Sequence, residues 1–530
     1  MGDTVPYPKD TEEKPESPMI SDLPLDVRVR GSFLDRTRAF FAGATVEPVM
    51  IVHMTSAMLI QVVWQSFLLN LVCTEFATQN STLGGKNITP AICHRLLTVV
   101  AEDDLDQAEA VIQSDAAKIQ AWRAAVEFAI LVPVVLLLGA WSDGANKSRT
   151  NRKAVMLLSL TGRFLQATFL FILNSIFRDG SLPHTVVRPS TLAALTMALP
   201  VALTGSTTAF DAAAYAHVAC QAPPKRHTFR LGLANGFWCV GTVVGFVISG
   251  FLFKSLGFSG VFGTAAALEL LAIALTMCLV KEKKVKENPV KASAIKYKYC
   301  HNCIDPREVL GPLKVTFRQR PNNSRRLIFL MLFCLILSYG ASSGRQSVLF
   351  LYTRYRFQWD EVEYGLYGMF LMVMEVIGSF IAMGFFNYYL KMADPIIGAM
   401  SCTSHLLSST FYLFANTGWQ MYVAPLVEMA NGQVVVIPRA IITKLVTKNE
   451  QGRVNSLLGC MEALIPLIFE PIYNRLYSDT LASPFPQAFF LLSAILALPP
   501  TALFVYLYIR DKNQAKRNPV QDGTDIPLNT

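Results

Sequence analysis

Charged residues are scarce in this chain: Asp, Glu, Lys and Arg make up 16% of its 530 residues, whereas hydrophobic residues make up 52%. A soluble globular protein carries about 25% charged residues. This scarcity excludes a soluble globular protein. Apolar runs long enough for transmembrane helices predict an all-α membrane protein instead.

The signatures of soluble enzymes are missing as well. The sequence has no glycine-rich phosphate loop, no nucleophile elbow and no paired His/Cys metal set, so we predict no enzyme, no cofactor and no metal site. Cys300 and Cys303 have the spacing of half a zinc site, but no second pair follows. The acidic run Asp103, Asp104 and Asp106 is expected to be solvated surface.

The N-terminus is polar and acidic up to Asp26 and lacks the apolar core of a signal peptide. The net charge is +9, but the basic residues cluster beside apolar runs, as orientation in a bilayer requires. We therefore predict no cleaved signal and no nucleic-acid binding.

Twelve apolar segments are predicted to cross the bilayer as helices, which gives two halves of six helices. The segments lie at about residues 47–71, 124–140, 154–177, 191–218, 231–253, 260–280, 327–351, 364–389, 396–414, 421–445, 457–472 and 485–509.

The loop charges predict the orientation and the domain boundaries. Basic residues lie in the loops that follow the even-numbered segments, which predicts that these loops are cytoplasmic. The N-terminal and C-terminal tails, at 1–45 and 510–530, are then predicted to be cytoplasmic as well. The N-terminal half is predicted at 46–280 and the C-terminal half at 327–509. The linker 281–326 between them holds thirteen Lys or Arg against four Asp or Glu, so it is predicted to be cytoplasmic.

The segment 73–120 is predicted to be a glycosylated outer loop. It is acidic and carries two sequons, at Asn80 and Asn87. Cys73 and Cys93 form a disulfide in an oxidising compartment on one interpretation; they are two free thiols on the other.

A short loop after the second segment has the spacing Gly139-x-x-x-Asp143-x-x-x-Lys147, with Arg149 just beyond. This spacing resembles the loop between helices 2 and 3 of major facilitator superfamily transporters, although Asn146 and Lys147 replace that loop's glycine and arginine. The resemblance implies a charged latch that pairs with cytoplasmic helix ends in one conformation. The alternative is an ordinary positive-inside loop.

Titratable groups inside apolar segments are costly, so each is a candidate for substrate or proton handling. The alternative for each is an ion pair that locks helices together. Acids outnumber bases, which leaves carboxylates without an obvious partner. The candidates are His53, Glu127, Arg163, Asp211, Arg345, Glu375, His405, Glu428, Arg439, Glu462 and Glu470.

A closer resemblance, to the proton-coupled folate transporter family of the major facilitator superfamily, covers nearly the whole chain. That family includes folate importers and lysosomal relatives. The similar stretches are Glu47-Pro48, LLGAWSDGANK, Thr228-Phe-Arg230, Trp359-Asp360, Pro438-Arg439-Ala, Lys444-Leu-Val, Glu450-Gln451-Gly452, Asn474 to Tyr477 and FFLLSA.

The resemblance implies roles for two residues. Arg439 matches the arginine that serves the substrate cavity, where a guanidinium holds a carboxylate in fork geometry. Tyr367 matches an aromatic residue that stacks on a substrate ring; helix packing is the alternative.

Departures from the family pattern concern the groups that carry protons. An acid near the end of span four is replaced by Val218, beside His217, and Asp211 lies about two turns earlier on the same face. Asn235, which cannot titrate, stands where relatives carry a glutamate or aspartate early in span five. Ser338 replaces a histidine of span seven, and Gln358 replaces a cysteine whose absence favours pairing of Cys73 with Cys93.

We therefore predict a secondary transporter of a small organic anion that works by alternating access and couples to protons. Arg439, Tyr367 and Asn235 are expected to bind the substrate. The expected partners are the bilayer, the anion and protons, with a monomer in the plasma membrane or, alternatively, the lysosomal membrane. The competing hypothesis is a receptor of the same fold that does not transport. The candidates for proton coupling or gating are Asp211, His217, Glu375, Glu428 and Glu462.

Overall fold

The structure is a computed structural model. It describes residues 46–78, 82–83, 86–87, 93, 106–143, 151–178, 188–221, 227–280, 324–390, 392–430, 433–446, 451–481, 483 and 485–517. The predicted cytoplasmic tail 1–45 and most of the linker 281–326 lie outside the described residues.

The described residues of the N-terminal half form six helices. A glycine with φ 64°, Gly257, divides the long sixth helix into two segments. A two-stranded antiparallel hairpin of β1 (Thr82–Leu83) and β2 (Lys86–Asn87) lies between the first two helices. The helices are α1 Glu47–Thr78, α2 Asp106–Asp143, α3 Arg152–Arg178, α4 Pro189–Thr204, α5 Ser206–Gln221 and α6 His227–Leu279.

The C-terminal half is also helical and contains several interruptions. α8 continues directly as a π-helix, Ile381–Tyr389, and a single turn of 3-10 helix, Glu428–Ala430, follows α11. The helices are α7 Ser324–Phe357, α8 Glu361–Phe380, α9 Asp394–Leu413, α10 Gly418–Met421, α11 Val423–Val427, α12 Gln433–Lys444, α13 Gln451–Thr480 and α14 Ala488–Arg517.

Eight helical segments of the described residues are long and apolar enough to cross a membrane by themselves. One of these, Leu233–Leu279, is divided at Gly257 and supplies two spans. The other three spans are the less apolar α9 and α13 and the short pieces α10 to α12, which form one interrupted span. The helices thus supply the twelve spans that the sequence predicts.

Spans four and ten occupy the same position in the two halves, and both are interrupted. Span four breaks between α4 and α5, where Gly205 and Ser206 have φ values of 91° and 55°. The left-handed conformation is readily available to glycine, which explains its place at the end of α4. Interrupted spans at corresponding positions mark the binding region in many transporters.

The two halves meet at one end of the bundle, which we name the outer end: the end at which α1 finishes and α2 begins. Tyr477 on α13 donates a hydrogen bond of 2.8 Å to Gln113 on α2. Lys254 on α6 forms an ion pair of 2.8 Å with Asp360, the residue before α8. The carbonyl of Ser347 on α7 accepts a hydrogen bond of 2.9 Å from Gln65 of α1.

At the opposite, inner end, glycines of the same helices have open space around them. A Cβ added to Gly139 of α2, Gly236 of α6 or Gly459 of α13 would meet no atom within 4 Å. By contrast, a Cβ on Gly250 near the outer end of span five would lie 2.5 Å from Cα of Val362. The halves therefore touch at the outer end and are separated at the inner end.

A buried carboxylate ties three helices together at the outer end. Glu75 on α1 accepts hydrogen bonds from the backbone N–H and the hydroxyl of Ser190, in the first turn of α4. Arg188 bridges Glu75 and Asp115 of α2, with 2.8 Å hydrogen bonds to each. Cys73, two residues before Glu75, forms a disulfide with Cys93.

Candidate functional site: a charged cleft between the halves

Arg439 and Glu462 form the most accessible ion pair in the middle of the C-terminal half. Arg439 lies on α12, beyond the interruption of span ten, and Glu462 lies on α13. Nη2 of Arg439 is 2.7 Å from Oε1 of Glu462, and the two side chains are 40% and 25% exposed. Nε of Arg439 is buried, and no described residue forms a hydrogen bond with it. The guanidinium thus has donors left for a ligand.

Glu470, about two turns beyond Glu462 on α13, connects this pair to the N-terminal half. It interacts electrostatically with Arg123 and Glu127, an i,i+4 ion pair on α2. Tyr339 on α7 lies near both Glu462 and Glu470. These interactions place the Arg439 pair on the side of the C-terminal half that faces the other half.

Arg163 and Asp211 provide the facing charges of the N-terminal half. Arg163 on α3 interacts electrostatically with Glu127 and with Asp211 of α5. Asp211 lies just beyond the interruption of span four, and its buried Oδ1 atom has no hydrogen-bond partner in the described part of the chain. The two interrupted spans therefore each contribute a charged residue, Asp211 or Arg439, shortly after the break.

Next to Arg163 and Asp211 lies a fully buried pair, His53 on α1 and Glu269 on α6. Both side chains are 0% exposed, and Nδ1 of His53 is 3.1 Å from each carboxylate oxygen of Glu269. The imidazole packs against the ring of Phe210, with 4.4 Å between ring centroids. Nε2 of His53 forms no hydrogen bond with any residue that the structure describes.

The C-terminal half has its own buried cluster around Glu428. Arg345 donates a 2.6 Å hydrogen bond to Glu428, and His405 is 3.1 Å from the same oxygen. Ser408 donates to the other carboxylate oxygen at 2.9 Å. For Glu428 the structure favours the alternative interpretation, an ion pair that holds helices together.

Tyr367 is 1% exposed, and its hydroxyl is 2.7 Å from that of Tyr412. Its ring packs against Trp359 and Tyr422. In this conformation the ring has no free face for a substrate, so the structure favours the helix-packing alternative for Tyr367.

The remaining site candidates lie in different environments. Asn235 is exposed and accepts a 3.1 Å hydrogen bond from Tyr215. Glu375 is exposed and close enough to Cys239 to interact electrostatically across the halves. His217 is buried.

The structure describes only part of the predicted latch and of the predicted outer loop. Asp143 is the last residue of α2, whereas Lys147 and Arg149 lie outside the described residues, as does the sequon residue Asn80. The other sequon residue, Asn87, belongs to β2.

Two charged residues of the cleft are missing from the sequence-based candidates. Glu269 interrupts an apolar segment, which is the signal used for the other candidates, so it could have been found.

Arg123 precedes the predicted start of span two. The structure corrects that start, because α2 begins at Asp106, inside the segment predicted as outer loop. The first turns of α2 are polar because they pack against α13 and the Glu75 network.

Two cavities lie at the ends of the halves, away from Arg439. The larger, of about 520 Å³, lies at the inner end of the C-terminal half and is lined by Asp394, Lys444 and Arg510 among others. The smaller, of about 330 Å³, lies at the outer end of the N-terminal half, beside Gly257. Neither contains the charged residues of the cleft.

The profile of the Major Facilitator Superfamily matches residues 108–470, more than half of the chain. The chain belongs to this superfamily. Its relatives include a probable peptidoglycan muropeptide transporter of Drosophila melanogaster, 24% identical over 78% of each chain. They also include a lysosomal proton-coupled steroid conjugate and bile acid symporter of Gallus gallus, 26% identical over 70% of this chain and 76% of the relative. The proton-coupled folate transporter of Rattus norvegicus is 25% identical over 74% and 78%.

Solved structures of superfamily members share the fold. The human organic anion transporter has a TM-score of 0.53 at 17% identity and covers 87% of this chain and 99% of its own. A bacterial homolog of the human lysosomal transporter Spinster has a TM-score of 0.51 at 13% identity, with coverage of 90% and 96%. At these identities the likeness shows the fold alone.

These matches confirm the resemblance to the proton-coupled folate transporter family and the predicted fold of twelve membrane-spanning helices. They also confirm the predicted class of function. This chain is a secondary transporter in a membrane and is not an enzyme.

Proposed function

We propose that this transporter moves an organic anion and that Arg439 is the group that binds the anionic end. A guanidinium presents donors in a fixed fork that matches a carboxylate or sulfate. The observation that carries this proposal is the accessible Arg439–Glu462 pair, which keeps a donor nitrogen without a partner. A substrate anion would take the place of the Glu462 carboxylate.

The named relatives act on muropeptides, on steroid conjugates and bile acids, and on folates. Such compounds have in common an acidic group on a large framework. We propose a substrate of the same kind for this chain. The charged cleft supplies the anion-binding group, and the opening at the inner end admits a bulky framework.

The charges of the cleft support the movement of protons together with the anion. Among the described residues, seven carboxylates lie away from the ends of the spans, against four guanidinium groups. With the histidines neutral, the set carries a net charge of −3, so a further anion is unfavourable unless protons bind with it. The set consists of Glu127, Asp211, Glu269, Glu375, Glu428, Glu462 and Glu470 with Arg123, Arg163, Arg345 and Arg439.

The conformation supports alternating access. The halves are joined at the outer end and separated at the inner end, so the cleft opens toward the inner side. Transport then requires the outer contacts to open while the inner end closes. We propose a monomer in the plasma membrane with both termini in the cytoplasm; surface biotinylation distinguishes this location from the lysosomal alternative.

Uptake in cells tests the role of Arg439. Labelled folate, taurocholate and a muramyl peptide are offered at pH 5.5 and pH 7.5, with the amount of protein at the surface measured in parallel. Loss of a charge-assisted hydrogen bond costs about 1.5–3 kcal/mol. Arg439→Ala should therefore lower uptake at low substrate concentration by about tenfold or more, and Arg439→Lys by less.

Arg475→Ala is the matched control. This arginine lies on α13, also in the C-terminal half, but it forms an exposed pair with Asp479, with side chains 65% and 51% exposed. Its loss should leave uptake unchanged. Normal uptake of every transported probe by Arg439→Ala at the surface would refute the assigned role.

A further inference from the structure

His53 and Glu269 form a histidine–carboxylate pair that joins α1 to α6. Their side chains are completely buried, and Nδ1 of His53 lies 3.1 Å from both oxygens of Glu269. A carboxylate accepts hydrogen bonds, so Nδ1 carries the hydrogen and Nε2 is left with a lone pair. Nε2 has no hydrogen-bond partner among the described residues. A buried polar atom without a partner is costly and calls for a functional reason.

A second buried histidine–glutamate pair shows what is special about the first. His405 and Glu428 are also 3.1 Å apart, but Glu428 additionally accepts hydrogen bonds from Arg345 and Ser408. A guanidinium stays charged at every physiological pH, so Glu428 is neutralised whether or not His405 binds a proton. Among the described residues, the hydrogen bonds that Glu269 accepts come from His53. The charge of that pair therefore depends on the proton.

Charged groups from three other helices surround the pair. Arg163 of α3 interacts electrostatically with Glu269, and Asp211 of α5 interacts with His53 and with Arg163. Glu127 and Arg123 of α2 also act on Arg163, and Tyr215 of α5 lies close to Asp211. With His53 neutral, the two arginines leave one of the three carboxylates uncompensated. One added proton makes this group of residues neutral.

We propose that His53 and Glu269 form the proton-binding site of the N-terminal half. A proton adds to the lone pair of Nε2 and forms an imidazolium that is paired with the Glu269 carboxylate; no other bond is broken, and the same proton leaves in the reverse step. The added proton neutralises this group of charged residues in the N-terminal half. An anion held by Arg439 can then approach Asp211 and Glu127. This coupling rests on the proposed function, whereas the proton site itself does not.

Transport in proteoliposomes separates coupling from substrate binding. Purified full-length protein is tested with labelled folate, taurocholate and a muramyl peptide in two assays: accumulation driven by a pH gradient, and counterflow exchange at equal pH. His53→Gln keeps an N–H donor for Glu269 but offers no proton site. The charged groups of its N-terminal half keep their negative charge, so its accumulation and its counterflow should both fall at least tenfold. Accumulation equal to wild type would overturn the proposal.

Two further variants make the assay specific. Glu269→Gln removes the negative charge that the proton would neutralise, so its accumulation should fall at least tenfold while counterflow stays within twofold of wild type. His405→Gln removes the matched histidine of the C-terminal half. It should change both assays in proportion, since Arg345 keeps Glu428 neutralised. A selective loss of accumulation in His405→Gln alone would assign the site to the other half and overturn the proposal.

A measurement without substrate decides the proton site independently. The chain has seven histidines, and NMR of protein labelled at histidine compares wild type with His53→Gln. The resonance lost in the variant should change protonation state between about pH 5 and pH 8, and Glu269→Gln should shift it. A resonance that stays constant over this range refutes the proton site. If wild type transports none of the probes, the proposed function fails, and the titration still decides on the site.

Discussion

The hydroxyl of Ser114 on α2 lies 2.7 Å from the hydroxyl of Ser478 on α13. These two serines belong to opposite halves of the transporter. In the adjoining position along each helix, Gln113 and Tyr477 are hydrogen bonded at 2.8 Å. The outer end is thus closed by direct polar contacts as well as by helix packing, and transport requires these contacts to break.

A disulfide between positions 114 and 478 should lock the transporter. In the variant Ser114→Cys/Ser478→Cys the two sulfurs replace hydroxyls that already touch, so mild oxidation should join them. Uptake is expected to fall below about a tenth of wild type, because the outer end no longer opens, and to return with reductant. The measurement is uptake before and after oxidation.

The two single variants, and wild type treated with the same oxidant and reductant, are the controls for this lock. They account for the disulfide between Cys73 and Cys93. Efficient cross-linking with full uptake would show that the outer end does not open during transport.

Gly365 allows α8 to approach α6 closely at the outer end. A Cβ at this position would lie 2.4 Å from the carbonyl oxygen of Phe246, which real atoms do not tolerate. Gly365→Ala should therefore destabilise the closed outer end and raise the rate at which an impermeant maleimide labels a cysteine introduced at Ser478, by about threefold or more.

Gly236→Ala is the control for Gly365→Ala, because its added methyl group meets no atom within 4 Å. It should leave the labelling rate unchanged. An equal effect of both variants would mean that the glycine contact does not hold the outer end closed.

The outer ion pair of Lys254 and Asp360 should not act as a pH sensor. Burial alone raises the pKa of Asp360, but Lys254 and the backbone N–H groups of Glu363 and Val362 outweigh it and leave this pKa below its ordinary value of 3.8. Its stabilising effect is therefore present above about pH 4 and is lost only as the pH falls through the lowered pKa.

Asp360→Asn and Lys254→Gln test this directly. Asparagine keeps the helix cap at the start of α8 but removes the charge. Each variant should lower the melting temperature by the same amount at about pH 5 as at about pH 7.5. A difference from wild type that disappears at the lower pH would show that Asp360 takes up a proton in that range.

Removing the disulfide should destabilise the outer end. Cys73 and Cys93 are 20 residues apart in the sequence, and a bridge that closes a loop of this size stabilises a protein by about 3 kcal/mol. Cys93→Ser should lower the melting temperature and abolish its response to reductant. Cys278→Ser, which removes an exposed free thiol, is the control and should keep that response.

Much of the architecture was predictable from the sequence because the bilayer imposes a simple rule: an apolar run of sufficient length becomes a helix. That rule located the twelve spans. The same rule failed for the start of α2, because the polar first turns of that helix are stabilised by contacts with other helices.

The sequence by itself determined the helices, the superfamily and the presence of costly charges within the spans. Only the tertiary structure decided which charges are partners. His53 and Glu269 are 216 residues apart, and Ser114 and Ser478 are 364 apart. The physical reason is that hydropathy reflects how each residue interacts with the bilayer, whereas pairing depends on how separate helices pack. That packing also decided which end of the cleft is closed.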